Sequence, residues 1–275
     1  MSEFFLGTHR PNWLAKTAVP LFVSRNQLHK IKRLPRALGD VGIDSGGFSE
    51  LSRHGYWTIG VDQYVREVRR YRDEIGNLRW AAQQDWMCEP HILKKTGLTI
   101  NEHHRRSTNN VLDLRSAAPE LDWTIVIQGW KRDDYLRHVD MLTAAGIDLG
   151  KEAVVGIGSV CRRQATGEVE EIIEALSPYI KLHGFGFKLR GLERCAHLLK
   201  SSDSMAWSFA ARKQDPLPGH EVRHKNCANC FDFAMQWHDR LLSKMDSWRQ
   251  KPRQMGLNFI GGANVPANET RCSAA

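Results

Sequence analysis

Short apolar, β-rich runs recur along this chain with helical patterns between most of them, and that alternation restricts the fold more than any other feature. The runs are 4-FFLG-7, 20-PLFVS-24, 41-VGIDS-45, 79-RWAAQQD-85, 123-WTIVIQG-129, 154-VVGIGS-159, 181-KLHGFGF-187 and 205-MAWSF-209. Between them, in 61-VDQYVREVRRYRDEI-75, the positions Val61, Tyr64, Val65, Val68, Tyr71 and Ile75 follow the helical repeat. Thr99 with Glu102 reads as a capping box opening a helix through 103-HHRRSTNNVLDL-114. Leu136, Val139 and Leu142 share one face of 132–146, where Gly146 is a stop signal. Further helices fit 168-EVEEIIEAL-176 and 191-GLERCAHLL-199.

Strand candidates alternating with helices over about 210 residues predict parallel β/α architecture, and closure into a (β/α)8 TIM-like barrel is the natural solution at this size. The doubly wound open sheet competes, but no G-x-G-x-x-G opens a helix after an early strand. The expected division is a β/α barrel catalytic domain over 1–215, a zinc knuckle plus helix packed on the barrel over 216–250, and a polar basic tail over 251–275.

Composition enters through charge. With 41% hydrophobic and 25% charged residues a real core is available. The net charge of +8 asks for a polyanionic partner, nucleic acid being the usual one, although a mildly basic surface needs no partner. The positive residues cluster in 66-REVRRYR-72, 188-KLR-190, 212-RK-213 and 249-RQKPR-253. No apolar run is long enough to span a membrane and the N-terminus lacks a secretory pattern, so a cytoplasmic location with no membrane partner is expected. Six cysteines in such a chain argue against a disulfide framework.

In a β/α barrel the chemistry sits at the C-terminal ends of the strands. Those ends carry Asp44, Asp85, Gln128, Gly158 with Ser159, and Gly184 with Gly186. Taken singly, Asp44 also reads as a helix cap and Gln128 as a partner for buried backbone. Together they suit a flat heterocycle, because an aspartate and an amide can pair with the edge of a guanine-like base. Phe48, Trp86 and Trp130 follow close behind and are candidates to stack on it or to fill core. Asp203, in 201-SSDSMAWSFAAR-212, offers a second acid, and a pair formed with Asp44 is what glycosidic-bond chemistry needs.

The segment 220-HEVRHKNCANC-230 holds Cys227 and Cys230 in C-x-x-C spacing with His224 three residues before, a pattern for zinc. The fourth ligand is His220 or His238; a helix through 231–248 carries His238 more than one turn from Cys230, which favours His220. A reduced, buried cysteine pair with bystander histidines is the plainer alternative. Four protein ligands imply a structural ion.

DSGGF at 44–48, the acid in QQDWMCEP at 83–90, IQG at 127–129, GIGSV at 156–160 and HGFGF at 183–187 together resemble the tRNA-guanine transglycosylase superfamily. LGTHRPNWL, QDWMCEP, GSVCRRQAT and DSMAWS more closely resemble its DNA-directed branch, the DpdA type, which places 7-deazaguanines into DNA in bacteria and their phages. The resemblance implies a proton-handling role for Asp44 and base recognition by Asp85 and Gln128. It implies backbone contacts to the base from Gly158 and Ser159, with Ser45, Gly46 and Gly129 in the same base-binding set. Asp203 would be the covalent nucleophile; the family's usual register falls on Ala206, and Asp203 is the only acid in the segment. A structural zinc is likewise implied, with a histidine replacing the first cysteine of the family motif, where Lys225 stands. The implied partners are DNA, a free 7-deazaguanine base such as 7-cyano-7-deazaguanine, and a helper protein for duplex opening. Competing readings are the same exchange on tRNA, a carbohydrate-active barrel hydrolase using the same acids, and a non-catalytic nucleic-acid binder.

Overall fold

The computed structural model describes residues 3–250, apart from residues 162, 164, 165 and 223 and the side chains of residues 249 and 250. The expected tail over 251–275, most of the basic run 249–253 and Cys272 lie outside the described residues.

Nine parallel strands form a single sheet: β1 (Glu3–Thr8), β2 (Leu21–Ser24), β3 (Val41–Asp44), β4 (Leu78–Ala82), β5 (Trp123–Thr124), β6 (Val126–Ile127), β7 (Val155–Ile157), β8 (Leu182–Gly184) and β9 (Ser201–Ser204). Their order is β5-β4-β3-β2-β1-β9-β8-β7-β6. The two ends of that order, β5 and β6, are separated along the chain by Ile125 alone, so they are halves of one strand. The sheet therefore closes into an eight-staved β/α barrel. The helices are α1 (Arg25–Leu28), α2 (Gly47–His54), α3 (Val61–Ile75), α4 (Pro90–Thr96), α5 (Ile100–Ala117), α6 (Arg132–Ala144), α7 (Gly167–Leu176), α8 (Leu189–Cys195), α9 (Ala206–Ala211) and α10 (Phe231–Gln250).

Strand period two sorts the side chains into two cores. Phe4, Leu6, Val41, Ile43, Ala81, Ile125, Ile127, Val155 and Ile157 point outward into the main core beneath the helices. Phe5, Phe22, Trp80, Ala82 and Val126 point inward and fill the barrel. Register fixes which polar residues follow them inward. Phe5 pairs with Asp203, Ser24 with Asp44, and Gly156 with both Val126 and His183. Two glycines clear space for the inner rings: a Cβ at Gly156 would lie 2.3 Å from the Phe185 ring, and one at Gly42 would lie 3.0 Å from both Phe22 and Trp80.

One expected strand is wrong. The run Met205–Phe209 enters α9, and the eighth stave is the polar Ser201–Ser204 just before it. Trp207 and Ala211 fall on one buried helical face while Phe209 is exposed, a spacing that suits a helix and not a strand. The serine strand carries no hydrophobic signal: Ser201 and Asp203 meet His183 and Gly186 inside the barrel, and at the alternate position Ser204 Oγ accepts the Ala206 N–H. The capping box is half formed: Thr99 Oγ1 accepts from the Glu102 N–H at 3.2 Å, but the Glu102 carboxylate is taken by Arg105 and Arg106. No helix among the described residues is long and apolar enough to cross a membrane.

After α9 the chain forms the loop that carries His220, His224, Cys227 and Cys230. The following α10 buries Phe233, Ala234, Trp237, Leu241 and Met245, with Trp237 and His238 about 6 Å from the Phe4 ring on the outer face of β1.

Candidate active site and metal centre

At the C-terminal ends of the strands the inward positions converge on a cavity of about 190 Å³ lined by Asp44, Ser45, Phe48, Asp85, Gln128, Gly158, Ser159, Phe185 and Asp203, among others. That is below the roughly 300–1,000 Å³ of sites for drug-sized ligands, and it suits a single flat ring system. A larger cavity, about 630 Å³, opens at the opposite end of the barrel between Trp80, Arg115, Glu152 and Lys200. The N-terminal face of such barrels is the stability face, and Arg115 is already paired to Glu152 at 2.7 Å.

Asp44 ends β3 and turns into the glycine pair. Its Oδ1 accepts the Gly46 N–H at 3.1 Å, and Gly46, at φ +85°, caps α2 in a left-handed conformation open to glycine. Burial raises the pKa of Asp44 and the nearby Asp203 charge adds to this, against the Gly46 N–H and the Ser24 hydroxyl. This carboxyl therefore keeps a proton to higher pH than an exposed aspartate does.

Asp85 and Gln128 are joined directly, with Gln128 Nε2 donating to Asp85 Oδ2. Burial pushes the Asp85 pKa up to about 7, with Asp44 and Glu89 adding to it against the Gln128 bond. Near neutrality Asp85 can then either donate or accept a hydrogen bond. Gln128 is held on every side. Its Oε1 receives the Ser159 hydroxyl at 2.7 Å, and its backbone N–H donates to His138 Nδ1 at 2.9 Å. Accepting there puts the His138 proton on Nε2, toward Thr108 Oγ1. His138 stacks on His104 with ring centroids 4.4 Å apart, and burial lowers their pKa values to about 3 and about 4.

Gly158 gives the amide its space, since a Cβ there would stand 2.1 Å from Gln128 Nε2. Its N–H donates to the Ile127 carbonyl and its C=O accepts the Tyr135 hydroxyl. Ser159, at φ +55°, is the one non-glycine residue with positive φ among those described. That strained backbone aims its hydroxyl between Gln128 Oε1 and Glu89 Oε2, 2.8 Å away, while the Cys88 N–H donates to it.

Asp203 stands on β9. Its Oδ1 accepts the Gly186 N–H at 3.0 Å and lies 3.3 Å from His183 Nε2. His183 is fully buried inside the barrel, and its Nδ1 is 2.8 Å from Ser201 Oγ.

The structure thus gathers Asp44, Ser45, Asp85, Gln128, Gly158, Ser159 and Asp203 around one cavity, whereas Gly46 and Gly129 stand outside its lining and shape the turns. Of the three aromatics, Phe48 lines the cavity and is 41% exposed. Trp86 is core, packed with Leu51 and Ile92 and covered by Arg106, and Trp130 stacks under Arg163 at 4.0 Å. Sequence reasoning passed over His183, Glu89, His138 and Cys161, the last of which lines the cavity. His183 was findable by counting inward positions along β8; the two-histidine stack behind Gln128 left no local pattern.

The loop before α10 brings the donor atoms of His220, His224, Cys227 and Cys230 within 4.8 Å of one another. His224 Nε2 lies 3.2 Å from Cys227 Sγ, and His220 Nδ1 lies 3.4 Å from Cys230 Sγ. Spacings of 3–4 Å between donors fit tetrahedral coordination at Zn–N and Zn–S bond lengths of about 2.0–2.3 Å. His238 is not part of this group; it packs its ring on Phe4 with Nδ1 toward Asp239. The four residues can hold a metal ion.

The model of the DpdA family, DeoxyPurine in DNA protein A, matches residues 1–274, and the chain belongs to that family. This is the DNA-directed, 7-deazaguanine-inserting branch of the tRNA-guanine transglycosylase superfamily. A search of curated proteins finds no match.

Proposed function

We propose that this member of the family exchanges guanine in DNA for a 7-deazaguanine base, 7-cyano-7-deazaguanine or a derivative, through a covalent aspartyl–glycosyl intermediate. The observation that carries this reading is the convergence of Asp44, Asp85, Gln128 and Asp203 on one small cavity at the mouth of the barrel. Asp203 attacks C1′ as the C1′–N9 bond breaks, and the departing guanine takes its proton from Asp44, whose raised pKa keeps that proton available. The incoming base gives its N9 proton to Asp44, its nitrogen attacks C1′, and Asp203 leaves. Two displacements give net retention.

Asp85 and Gln128 read the edge of the base, and Phe48 covers its face. The target base must leave the stack to reach this cavity, so the enzyme flips it out or acts on unpaired DNA, with a partner protein as one means of opening the duplex. Zinc on His220, His224, Cys227 and Cys230 is structural in this reading, since four protein ligands leave no open position for chemistry. In that division residues 1–215 carry the reaction, while residues 216–250 form the metal loop and its helix.

The test is label transfer. Pure protein is incubated with radiolabelled guanine or 7-cyano-7-deazaguanine and either DNA or total tRNA, and label in each polymer is counted. Label in DNA is expected. Label confined to tRNA keeps the mechanism and overturns the substrate, and label in neither polymer, with single-stranded DNA included so that no partner is needed, overturns both. Asp203→Ala is expected to abolish transfer while DNA binding survives; retained transfer removes Asp203 from the nucleophile's role.

A further inference from the structure

His183 belongs to none of the groups that line the cavity, yet it is fully buried inside the barrel among aromatic rings. The rings of Trp80 and Phe185 stand 4.9 and 4.8 Å away, with Phe5 and Phe22 at 6.0 Å. Placing an imidazole among four aromatic rings is costly unless its polar atoms are satisfied. Both are, and in series: Ser201 Oγ lies 2.8 Å from Nδ1, and Asp203 Oδ1 lies 3.3 Å from Nε2.

The register makes this chain possible. His183 pairs with Ser201 across β8 and β9, so the two side chains point inward side by side, and Asp203 is the next inward position toward the cavity. With the Ser201 hydroxyl donating to Nδ1, the proton of a neutral ring sits on Nε2 and points at Asp203. The Gly186 N–H reaches the same Oδ1 at 3.0 Å. Two donors thus converge on one oxygen, and Oδ2 has no partner among the described residues.

We propose that His183 is the positioning residue of Asp203, fixing Oδ1 so that Oδ2 is the oxygen presented to C1′, with Ser201 holding the imidazole in the tautomer that does so. This rests on the reading of Asp203 as the nucleophile. His183 touches neither base nor sugar, so its effect falls on the rate of forming the C1′–Oδ2 bond and not on how tightly the base is held. A buried histidine that merely fills the barrel has no reason to spare base affinity while slowing that step.

The experiment measures the burst of guanine released on mixing enzyme with DNA, together with kcat and KM for labelled guanine exchange. His183→Phe keeps the ring volume and removes the Nε2 donor. Its burst rate and kcat are expected to fall about 10²-fold, the scale of a misplaced attacking atom. KM for guanine should stay within about twofold, as for a contact that acts only in the transition state. His183→Gln, which keeps an N–H donor, is expected to recover part of the rate.

Should His183→Phe fail to fold, Ser201→Ala carries the test, with a loss in kcat of roughly 2- to 13-fold for one missing hydrogen bond. A wild-type burst in folded His183→Phe overturns the proposal, as does a wild-type burst in Ser201→Ala where that variant carries the test. A loss shared equally by KM also overturns it, because that marks collapse of the cavity. Asp203→Asn is run alongside. If it still exchanges, the nucleophile is misassigned; if it is dead while His183→Phe is fully active, only the role of His183 fails.

Discussion

Asp85→Asn should make the protein more stable and less able to exchange bases, and the gain should depend on pH in a defined way. The Asp85 carboxyl has its pKa raised from 3.8 to about 7, chiefly by burial. Below about pH 4 it is protonated whether the chain is folded or not, and it contributes nothing. Between about pH 4 and pH 7 the unfolded chain releases this proton while the fold retains it, so the fold loses stability as pH rises; above about pH 7 the penalty is constant. The gap between 3.8 and about 7, at about 1.4 kcal/mol per pH unit, comes to about 4 kcal/mol as an upper figure. Asparagine keeps an oxygen for Gln128 Nε2 and never ionises. Asp85→Asn should therefore match the wild type near pH 4 and exceed it by about 2–4 kcal/mol at pH 8, or roughly 5–10 °C in Tm for a chain of this size. The assay is thermal unfolding of both proteins in steps from pH 4 to pH 8. His104 and His138 work in the opposite sense, because their pKa values lie below 6.5 and their stabilisation is lost as pH falls through that window. Both proteins carry them, so they cancel in the difference. A difference that is flat with pH, or a variant less stable than wild type at pH 8, refutes the reasoning.

The remaining predictions are direct. Gly158→Ala places a Cβ 2.1 Å from Gln128 Nε2, so the amide must swing away from Asp85; kcat/KM for the incoming base should fall about 10²-fold, and steady-state exchange measures it. Overpacking should cost about 1–3 kcal/mol in the same variant, and an unchanged kcat/KM would show that the position of the amide is immaterial. Cys227→Ser removes a buried member of the four-residue cluster; if the cluster holds an ion, metal content by emission spectroscopy should drop and stability should fall by on the order of several kcal/mol. A chelated wild-type protein with an unchanged melting temperature would argue against any structural ion.

The barrel was legible because seven of its staves carry outward apolar residues that pack beneath helices, and period two exposes them in the chain. The eighth was hidden for a physical reason. Ser201–Ser204 buries serines and an aspartate against His183 and Gly186, so its polarity is satisfied within the barrel and reads as a loop. The run Met205–Phe209 beside it reads as a strand because it is short, apolar and aromatic, although Trp207 donates to the Gly7 carbonyl from a helix. The histidine–cysteine cluster was legible because four donors fall within eleven residues. The stack of His104 and His138 joins α5 to α6, and no spacing in the chain reports that contact.

Closure of the sheet is what turns these scattered acids into one site. In the strand order Asp44 and Asp203 stand three staves apart, with β2 and β1 between them. Neighbouring strands are about 4.8 Å apart, so in a flat sheet these two side chains would project in parallel, about 14 Å from one another. Curling the sheet turns every inward position toward a common axis, and the two carboxyls come close enough for the charge of Asp203 to raise the pKa of Asp44. The inner aromatic core serves the same end from below. Phe5, Phe22, Trp80 and Phe185 plug the barrel beneath the acids, leaving the cavity open on the side where the strands end. An apolar floor strengthens burial as the cause of the shifts at Asp44 and Asp85, and it leaves His183 as the polar link that reaches through it. On this account the chemistry is set by which residues face inward, and a change of one residue in the register of β3 would turn Asp44 out of the cavity and Val41 and Ile43 out of the core beneath the helices, so site and fold depend on the same register.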